Sequence, residues 1–287
     1  MIVSGSSALN INNVDLSRRA VKVICPILSF REYLAFKHSM QLPSFELNKV
    51  IDNFTEIALE LITNFSDKKI SVLEEFHSYL KNGMFPTSFS IENTSNYYQS
   101  LNGILNKMIG SDIQSCYPDL SGRSIRKLKK LLAIISTKCP YIPNISDLTS
   151  ALEMKDRQAI KKYLFYLNEI GAIRAMPKLG NTVSALNKPE KIYLHNPNFI
   201  YALSSELEVK IGTVRETFVA LALAESVNVS IPKKGDFIID GRKTFEVGGS
   251  SKSFSQLKGV ENSYIIADGM EFGKRNKIPM WLLGFLW

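Results

Sequence analysis

Three acidic residues near the C-terminal end of the sequence have the types and spacing needed for metal-dependent chemistry. Glu216 lies in a predicted helix, and Asp236 and Glu246 lie in two predicted strands joined by the turn Asp240-Gly241-Arg242. Because side chains alternate across a strand, Asp236 and Glu246 can project from the same face of a sheet. Such carboxylates could hold a divalent cation for phosphodiester hydrolysis, with Asp236 and Glu246 as metal ligands. The alternative is that they are surface carboxylates of a hairpin.

A small α/β domain is predicted to position these carboxylates. Its first helix is predicted over residues 214–223, and the β-prone runs that follow predict strands. The predicted strands cover residues 228–231, 235–240, 243–247, 264–267 and 279–287, with a short helix over residues 254–260. The last strand is almost wholly apolar, so it is expected to be buried.

A pair of helices with helix-turn-helix spacing precedes this domain. Apolar residues at helical spacing predict a short helix over residues 146–152 and a second over residues 156–170, which ends at Gly171. Strands are predicted over residues 172–176 and 191–195, with a loop between them. This order of elements is typical of a winged helix.

Basic residues of the second helix are candidates for nucleic-acid contacts. In a DNA-binding winged helix, Arg157, Lys161 and Lys162 would approach phosphates or base edges in the major groove. Lys178 would lie near the wing. A winged helix that serves only as a packing module is the alternative.

Positive charge is concentrated just before this pair of helices. The sequence has 35 Lys and Arg against 27 Asp and Glu, and its net charge of +8 favours nucleic acid or another acidic partner. Residues 121–140 contain no acidic residue and six basic ones: Arg123, Arg126, Lys127, Lys129, Lys130 and Lys138. This stretch is either a solvated helix face or a phosphate-binding face.

The composition excludes several classes of protein. With 287 residues, 45% hydrophobic and 22% charged, the chain has the size and balance of a globular protein of two or three domains, and collagen-like or mainly disordered chains are excluded. Three widely separated cysteines predict free thiols in a reducing compartment, and we expect a cytoplasmic location. No apolar stretch approaches the ~20 residues that span a bilayer, so no membrane partner is expected.

Two groups of motifs resemble a prokaryotic family of AAA+ ATPases. SGSSALNINNVDLSRRAV followed by LSFREYL resembles the region at and after the sensor-1 strand of that family. GDFIIDGRKTFEVGG and the terminal IPMWLLGFLW resemble the family's C-terminal domain, and the winged-helix segment lies between the two groups. The resemblance covers essentially the whole chain and about the last two-thirds of a typical member.

The resemblance assigns three residues to nucleotide sensing. Ser6 matches the polar sensor-1 residue that helps to orient the attacking water, and Arg18 and Arg19 would approach a nucleotide phosphate. Alternatively, both arginines bind neighbouring carboxylates. ATP and Mg²⁺ are implied as cofactors of a full-length relative, but the sequence has no G-x-x-x-x-G-K-[ST] motif. We therefore expect this chain alone to have no cofactor and neither to bind nor to hydrolyse ATP usefully.

The C-terminal segment resembles the PD-(D/E)xK nuclease-like fold. Glu216, Asp236, Glu246 and Gln256 match that fold's catalytic positions. The residue two positions after Glu246 is a glycine, where an active enzyme has the lysine that orients the attacking water. Lys252 follows four residues later, in a loop that offers poor preorganisation. We expect a degenerate nuclease-like domain.

These observations predict an α/β fold with a large helical part. The predicted units are a remnant of an AAA+ nucleotide-binding domain (residues 1–27), a helical region including the ATPase lid (28–138), a winged helix (139–196) and a PD-(D/E)xK nuclease-like domain (197–287). The predicted function is that of the C-terminal portion of an AAA+ ATPase, inactive in hydrolysis by itself, with DNA and a second copy or another protein as partners. The alternatives are a metal-dependent nuclease and a stand-alone module that binds nucleic acid or protein.

Overall fold

The computed structural model describes residues 21, 23, 25–180, 189–204 and 209–287. Within these residues the chain is a mixed α/β structure, with a helical first half and two β-sheets in the second half. The predictions for Ser6, Arg18 and Arg19 lie outside the described residues. None of the helices described is both long and apolar enough to span a membrane.

The helical half consists of amphipathic helices whose ends are set by polar caps. Helix α1 begins after Ser29, whose hydroxyl accepts from the Glu32 N–H while the Glu32 carboxylate accepts from the Ser29 N–H, a reciprocal capping box. Asn93 and Ser121 cap two later helices in a similar way. The helices are α1 (Phe30–His38), α2 (Leu47–Asp67), α3 (Val72–Asn82), α4 (Thr94–Lys107), α5 (Ile113–Cys116) and α6 (Gly122–Lys138), with a 3₁₀ turn at Pro86–Phe89 and a π turn at Met108–Asp112.

Two further helices and a β-hairpin follow α6. Helix α7 (Ile145–Ala151) is capped by Asn144, and helix α8 (Arg157–Glu169) is capped by Asp156. Strands β1 (Ile173–Met176) and β2 (Lys191–Leu194) pair antiparallel. Tyr141, between α6 and α7, forms a bridge with Ile192 on the other side of β2.

A five-stranded sheet forms the C-terminal part of the chain. It follows helices α9 (Pro197–Leu203) and α10 (Ile211–Ser226). Its strands are β3 (Val229–Ser230), β4 (Phe237–Ile239), β5 (Lys243–Gly249), β6 (Ser263–Asp268) and β7 (Lys277–Pro279), in that spatial order. The neighbouring pairs β3–β4 and β4–β5 are antiparallel, whereas β5, β6 and β7 run parallel. Helix α10 packs on β5 and is apolar around most of its surface, as expected for a helix covered on several sides.

One hydrophobic core joins the helical half to the five-stranded sheet. Its centre is a group of aromatic rings in which Phe30 of α1 lies 5.2 Å from Phe76 of α3, and Phe76 lies 5.0 Å from Phe218 of α10, between ring centroids. Phe285, near the end of the chain, lies 6.0 Å from Phe30. The hairpin residues Ile173 and Ile192 belong to the same core cluster. The predicted boundaries at residues 138 and 196 therefore do not mark breaks in the core.

The end of the chain differs from the sequence prediction. The predicted closing strand over residues 279–287 is wrong, because β7 ends at Pro279 and residues Met280–Phe285 form a 3₁₀ helix. Trp281 donates its indole N–H to the carbonyl of Glu271, and the Cα of Gly284 lies against Phe30, where a Cβ would come within 2.4 Å of the Phe30 side chain. A run of apolar residues predicts that the segment is buried, but it does not distinguish a strand from a helix. The predicted helix over residues 254–260 is likewise reduced to the 3₁₀ turn Phe254–Leu257.

Candidate functional site

The three predicted carboxylates lie around one end of the five-stranded sheet. Glu216 is on α10, Asp236 immediately precedes β4, and Glu246 is within β5. Phe237 pairs with Phe245, and the Asp236 N–H donates to the carbonyl of Phe245 at 2.8 Å. The Asp236 side chain also accepts from the Val247 N–H, at 2.9 Å from Oδ2. The structure thus brings Asp236 next to the part of β5 that carries Glu246.

Lys191 of β2 lies between two of these carboxylates. Its Nζ is 3.5 Å from Glu216 Oε2 and 3.5 Å from Asp236 Oδ1. Tyr193, two residues further on the same strand, donates its hydroxyl to Glu216 Oε2 at 3.2 Å. Residues two apart on a strand face the same way, so β2 presents an ammonium group and a phenol to one carboxylate pair.

Burial and the neighbouring charges both shift the pKa of Glu216. Burial, followed by repulsion from Asp236, raises the pKa of Glu216 above its usual value, and Lys191 and Tyr193 counteract part of that rise. The pKa of Tyr193 is raised by its own burial and by the negative charge of Glu216 and Asp236. Lys191 is therefore the positive charge that opposes the rise in the pKa of Glu216.

Lys252 forms an ion pair with Glu246. Its Nζ lies 2.6 Å from Glu246 Oε1 and also donates to Gln256 Oε1. A Cβ added to Gly248 would lie 2.7 Å from the Cβ and Cγ of Lys252. The lysine stem thus passes over the glycine that stands where the resemblance leads one to expect a lysine. Glu246, Gln256 and Lys252 form one contact group, and Glu246 itself is only 3% exposed.

The metal site at Asp236 and Glu246 stays a prediction. Among the residues that the structure describes, no group of three or more His, Cys, Asp or Glu side chains could hold a metal ion. Ammonium groups lie next to the predicted ligands, with Lys191 between Glu216 and Asp236 and Lys252 on Glu246.

Sequence reasoning missed Lys191 and Tyr193 as members of this group. They belong to a hairpin that was assigned to a different predicted domain, and 45 residues separate Lys191 from Asp236. The only signal in the sequence is that two polar-tipped residues, two positions apart, interrupt an otherwise apolar strand. That pattern places them on one face of β2 but does not identify what the face contacts.

Replacing Lys191 by methionine is expected to raise the pKa of Glu216 further, because repulsion from Asp236 is then uncompensated. A raised carboxyl pKa lowers stability above the ordinary Glu pKa, and the loss is recovered as Glu216 takes up a proton on acidification. Carboxyl ¹³C NMR titration and urea unfolding at several pH values measure both effects. Lys191→Arg keeps the charge and serves as the control. An unchanged Glu216 titration in Lys191→Met would contradict the role of the ammonium group.

A second polar cluster, which sequence reasoning also missed, lies at the end of β6. Asp268 is 3% exposed and accepts from Arg215 Nε at 2.8 Å, from His77 Nε2 at 2.9 Å and from the Gly269 N–H at 2.7 Å. The pKa of His77 is raised chiefly by its hydrogen bond to Asp268, and the two cationic partners lower the pKa of Asp268 against the effect of its burial. A cavity of about 120 Å³ opens beside these side chains.

Helix α8 presents its predicted nucleic-acid-binding residues on the outside of the structure. Arg157 and Lys162 are exposed, and Lys161 is partly exposed. Arg157 Nη2 donates to Ser146 Oγ of α7 at 3.1 Å, which holds the guanidinium at the junction of the two helices. Ile160, Leu164 and Leu167 form the buried face of α8, as their spacing predicts, and each of them is at most 1% exposed.

The basic stretch on α6 lies beside the turn that leads into α8. Lys127 donates to the carbonyl of Glu153 in that turn, at 2.9 Å. Four exposed basic residues of α6 surround this contact: Arg123, Arg126, Lys129 and Lys130. None of the four has an ion pair with a carboxylate in the described part of the chain. We call these four residues and Arg157, Lys161 and Lys162 the basic surface.

Comparison with known families places a match over the middle of the chain. A family model described as a domain of unknown function, DUF8612, matches residues 73–210, from α3 to the residue before α10. No curated protein and no solved structure matches the chain. The match includes Arg157, Lys161 and Lys162 and ends before Glu216. The chain is therefore similar to this family over the helix pair and hairpin, and the carboxylate group lies beyond the matched range.

Proposed function

We propose that this chain binds duplex DNA through a winged helix formed by α6, α7, α8 and the β1–β2 hairpin. The observation that carries the proposal is the basic surface, whose cations are directed to solvent and have no carboxylate partner among the described residues. The contact from Lys127 to Glu153 supports treating the two helices' basic residues as one surface. Cations arranged in this way neutralise phosphates and release counterions.

The order of elements supports the same proposal. Three helices, a strand contact at Tyr141 and an antiparallel hairpin follow one another, and α8 leaves one face uncovered. In helix-turn-helix proteins the second helix of the pair enters the major groove, and its N-terminal residues contact bases. Arg157, Lys161 and Lys162 occupy the first half of α8. Within this proposal, the chain is the C-terminal portion of an AAA+ ATPase in which DNA binding accompanies ATP-driven work elsewhere in the full-length protein.

Charge reversal at Lys161 and Lys162 tests the proposal. Wild-type chain is expected to bind a fluorescent 30-base-pair duplex with an affinity that falls steeply between 50 and 200 mM salt, because each neutralised phosphate contributes about 0.9 to the logarithmic salt slope. Lys161→Glu with Lys162→Glu should weaken binding at least about tenfold and flatten that slope. Lys68→Glu with Lys69→Glu, on the turn after α2, makes the same change in charge elsewhere. Undetectable binding of the wild-type chain at 50 mM salt would sink the proposal.

A metal-dependent nuclease is the second candidate function. The observation that favours it is Lys252, which reaches Glu246 and Gln256 although it is not at the position that the resemblance predicts. Against it stands Lys191, whose ammonium group lies between Glu216 and Asp236, so we place a degenerate nuclease-like domain before an active nuclease. Mg²⁺-dependent nicking of supercoiled plasmid, lost in Asp236→Ala, would reverse this order.

A further inference from the structure

The hairpin of the proposed winged helix is joined to the five-stranded sheet by main-chain hydrogen bonds. Beyond the end of β1, Lys178 bridges in parallel to Ile231. The Ile231 N–H donates to the carbonyl of Pro177 at 2.8 Å, and the Leu179 N–H donates to the carbonyl of Ile231 at 3.0 Å. The start of the hairpin loop is therefore held by a single parallel β-bridge to the residue after β3, and this bridge fixes the backbone of Lys178 relative to the sheet.

Two further lysines follow directly on the other side of this junction. Lys233 and Lys234 are two and three residues after Ile231, within about 10 Å of it at ~3.3 Å per extended residue. Lys234 Nζ donates to the carbonyl of Lys258 at 3.3 Å, which brings a fourth lysine to the same place. Lys178, Lys233, Lys234 and Lys258 are all exposed, and none has a carboxylate partner among the residues that the structure describes. We call these four residues the junction lysines.

The nearest charges on the adjoining turn cancel one another. Leu179 lies against Gly241, which is part of the turn between β4 and β5. That turn carries one exposed acid, Asp240, and one exposed base, Arg242. The junction lysines therefore leave a net positive surface that extends from the hairpin loop onto the five-stranded sheet.

We infer that duplex DNA held by helix α8 is also contacted by the junction lysines, so that the DNA-binding surface extends onto the C-terminal sheet. The inference rests on the proposed function. Charges attract phosphates over about 10 Å at 0.1 M salt, and duplex DNA carries a phosphate for each ~3.4 Å of axis on each strand. The hairpin loop is the element that approaches DNA beside the recognition helix in winged-helix proteins, and here that loop begins with its backbone bonded to Ile231.

The test removes two of the junction lysines without reversing charge. In Lys233→Gln with Lys234→Gln, we expect the affinity for the 30-base-pair duplex to fall about fivefold at 100 mM salt and the logarithmic salt slope to fall by about 1.8. The control is Lys274→Gln with Arg275→Gln, two exposed bases on the β6–β7 loop, toward the opposite edge of the sheet. The control should bind as the wild type does, and the thermal midpoint of each variant checks folding.

The outcomes separate the inference from the proposed function. Wild-type affinity and slope in Lys233→Gln with Lys234→Gln, together with weakened binding in the Lys161 and Lys162 variant, would overturn the inference and leave DNA binding in place. Equal losses in the junction and control variants would show a uniform charge effect and would also overturn it. Failure of the wild-type chain to bind would overturn both.

Discussion

Replacing Asn198 by alanine is expected to lower the free energy of unfolding by about 4 kcal/mol. Asn198 is fully buried on α9, and its side-chain oxygen accepts from the Met84 N–H at 3.0 Å and from the Tyr97 hydroxyl at 2.6 Å. Its amide nitrogen donates to the carbonyls of Tyr79 and Leu80, at 3.2 and 2.8 Å. The substitution removes one hydrogen bond from each of four buried polar groups. The Tyr79 carbonyl keeps its bond from the Gly83 N–H, whereas each group left unsatisfied costs ~1–3 kcal/mol.

Urea unfolding of Asn198→Ala measures this loss. Asn106→Ala removes an exposed asparagine whose amide bonds only to the carbonyl of Asn102 on the same helix, and it should change stability by less than about 0.5 kcal/mol. Tyr97→Phe should cost clearly less in the Asn198→Ala background than in the wild type, because the hydroxyl has already lost its acceptor. Additive costs in that double-mutant cycle would show that the two side chains do not act together.

Asp268→Ala is expected to cost about 3 kcal/mol at pH 6. Removing one member of a buried ion pair leaves the other charge without compensation, at a cost of ~3–5 kcal/mol. The lower end applies, because Arg215 and His77 keep part of their surface in water. Glu261→Ala, an exposed carboxylate shortly before β6, is the control and should have little effect. A cost below about 1 kcal/mol for Asp268→Ala would contradict the role assigned to this cluster.

The cost of Asp268→Ala should depend on pH in a defined window. The pKa of Asp268 is lowered in the folded chain, so its contribution is present above the ordinary Asp pKa of 3.8 and is lost as pH falls through the folded value. The pKa of His77 is raised, so its contribution is present below the ordinary His pKa of 6.5 and is lost as pH rises through the folded value. Between the ordinary pKa values of Asp and His, the loss of unfolding free energy in Asp268→Ala is greatest. At higher pH His77 is neutral, and only the loss of the ion pair with Arg215 remains.

The helix boundaries near α7 and α8 could be predicted because the relevant information is local. The capping carboxylate of Asp156 and the left-handed Gly171 limit α8, and both were recognisable from sequence. The final apolar residues could not be assigned in the same way. The 3₁₀ helix that MWLLGFLW forms makes contacts outside the run itself, with Phe30 in the helical half and with Glu271, ten residues before Trp281.

The candidate site shows the same division between local and distant information. Alternation along two strands joined by a short turn predicts Asp236 and Glu246 on one face of the sheet, and the structure places the Asp236 side chain against β5 at Val247. The lysines that neutralise the carboxylates did not follow, because Lys191 comes from the hairpin and Lys252 turns back over Gly248. Local spacing found the acids, and only the packing of the hairpin and the loop on the sheet reveals their counter-charges.

The continuous hydrophobic core that joins α1, α10 and the final 3₁₀ helix makes the stability of one part of the chain depend on the others. Phe30, Phe76, Phe218 and Phe285 belong to one packed cluster, so these elements are expected to unfold together. A ligand that binds only the folded chain then stabilises all of it, by ~2.7 kcal/mol at a hundred times its dissociation constant. DNA bound at α8 would therefore protect backbone amides of the central strand β5 from hydrogen exchange, although it touches none of them.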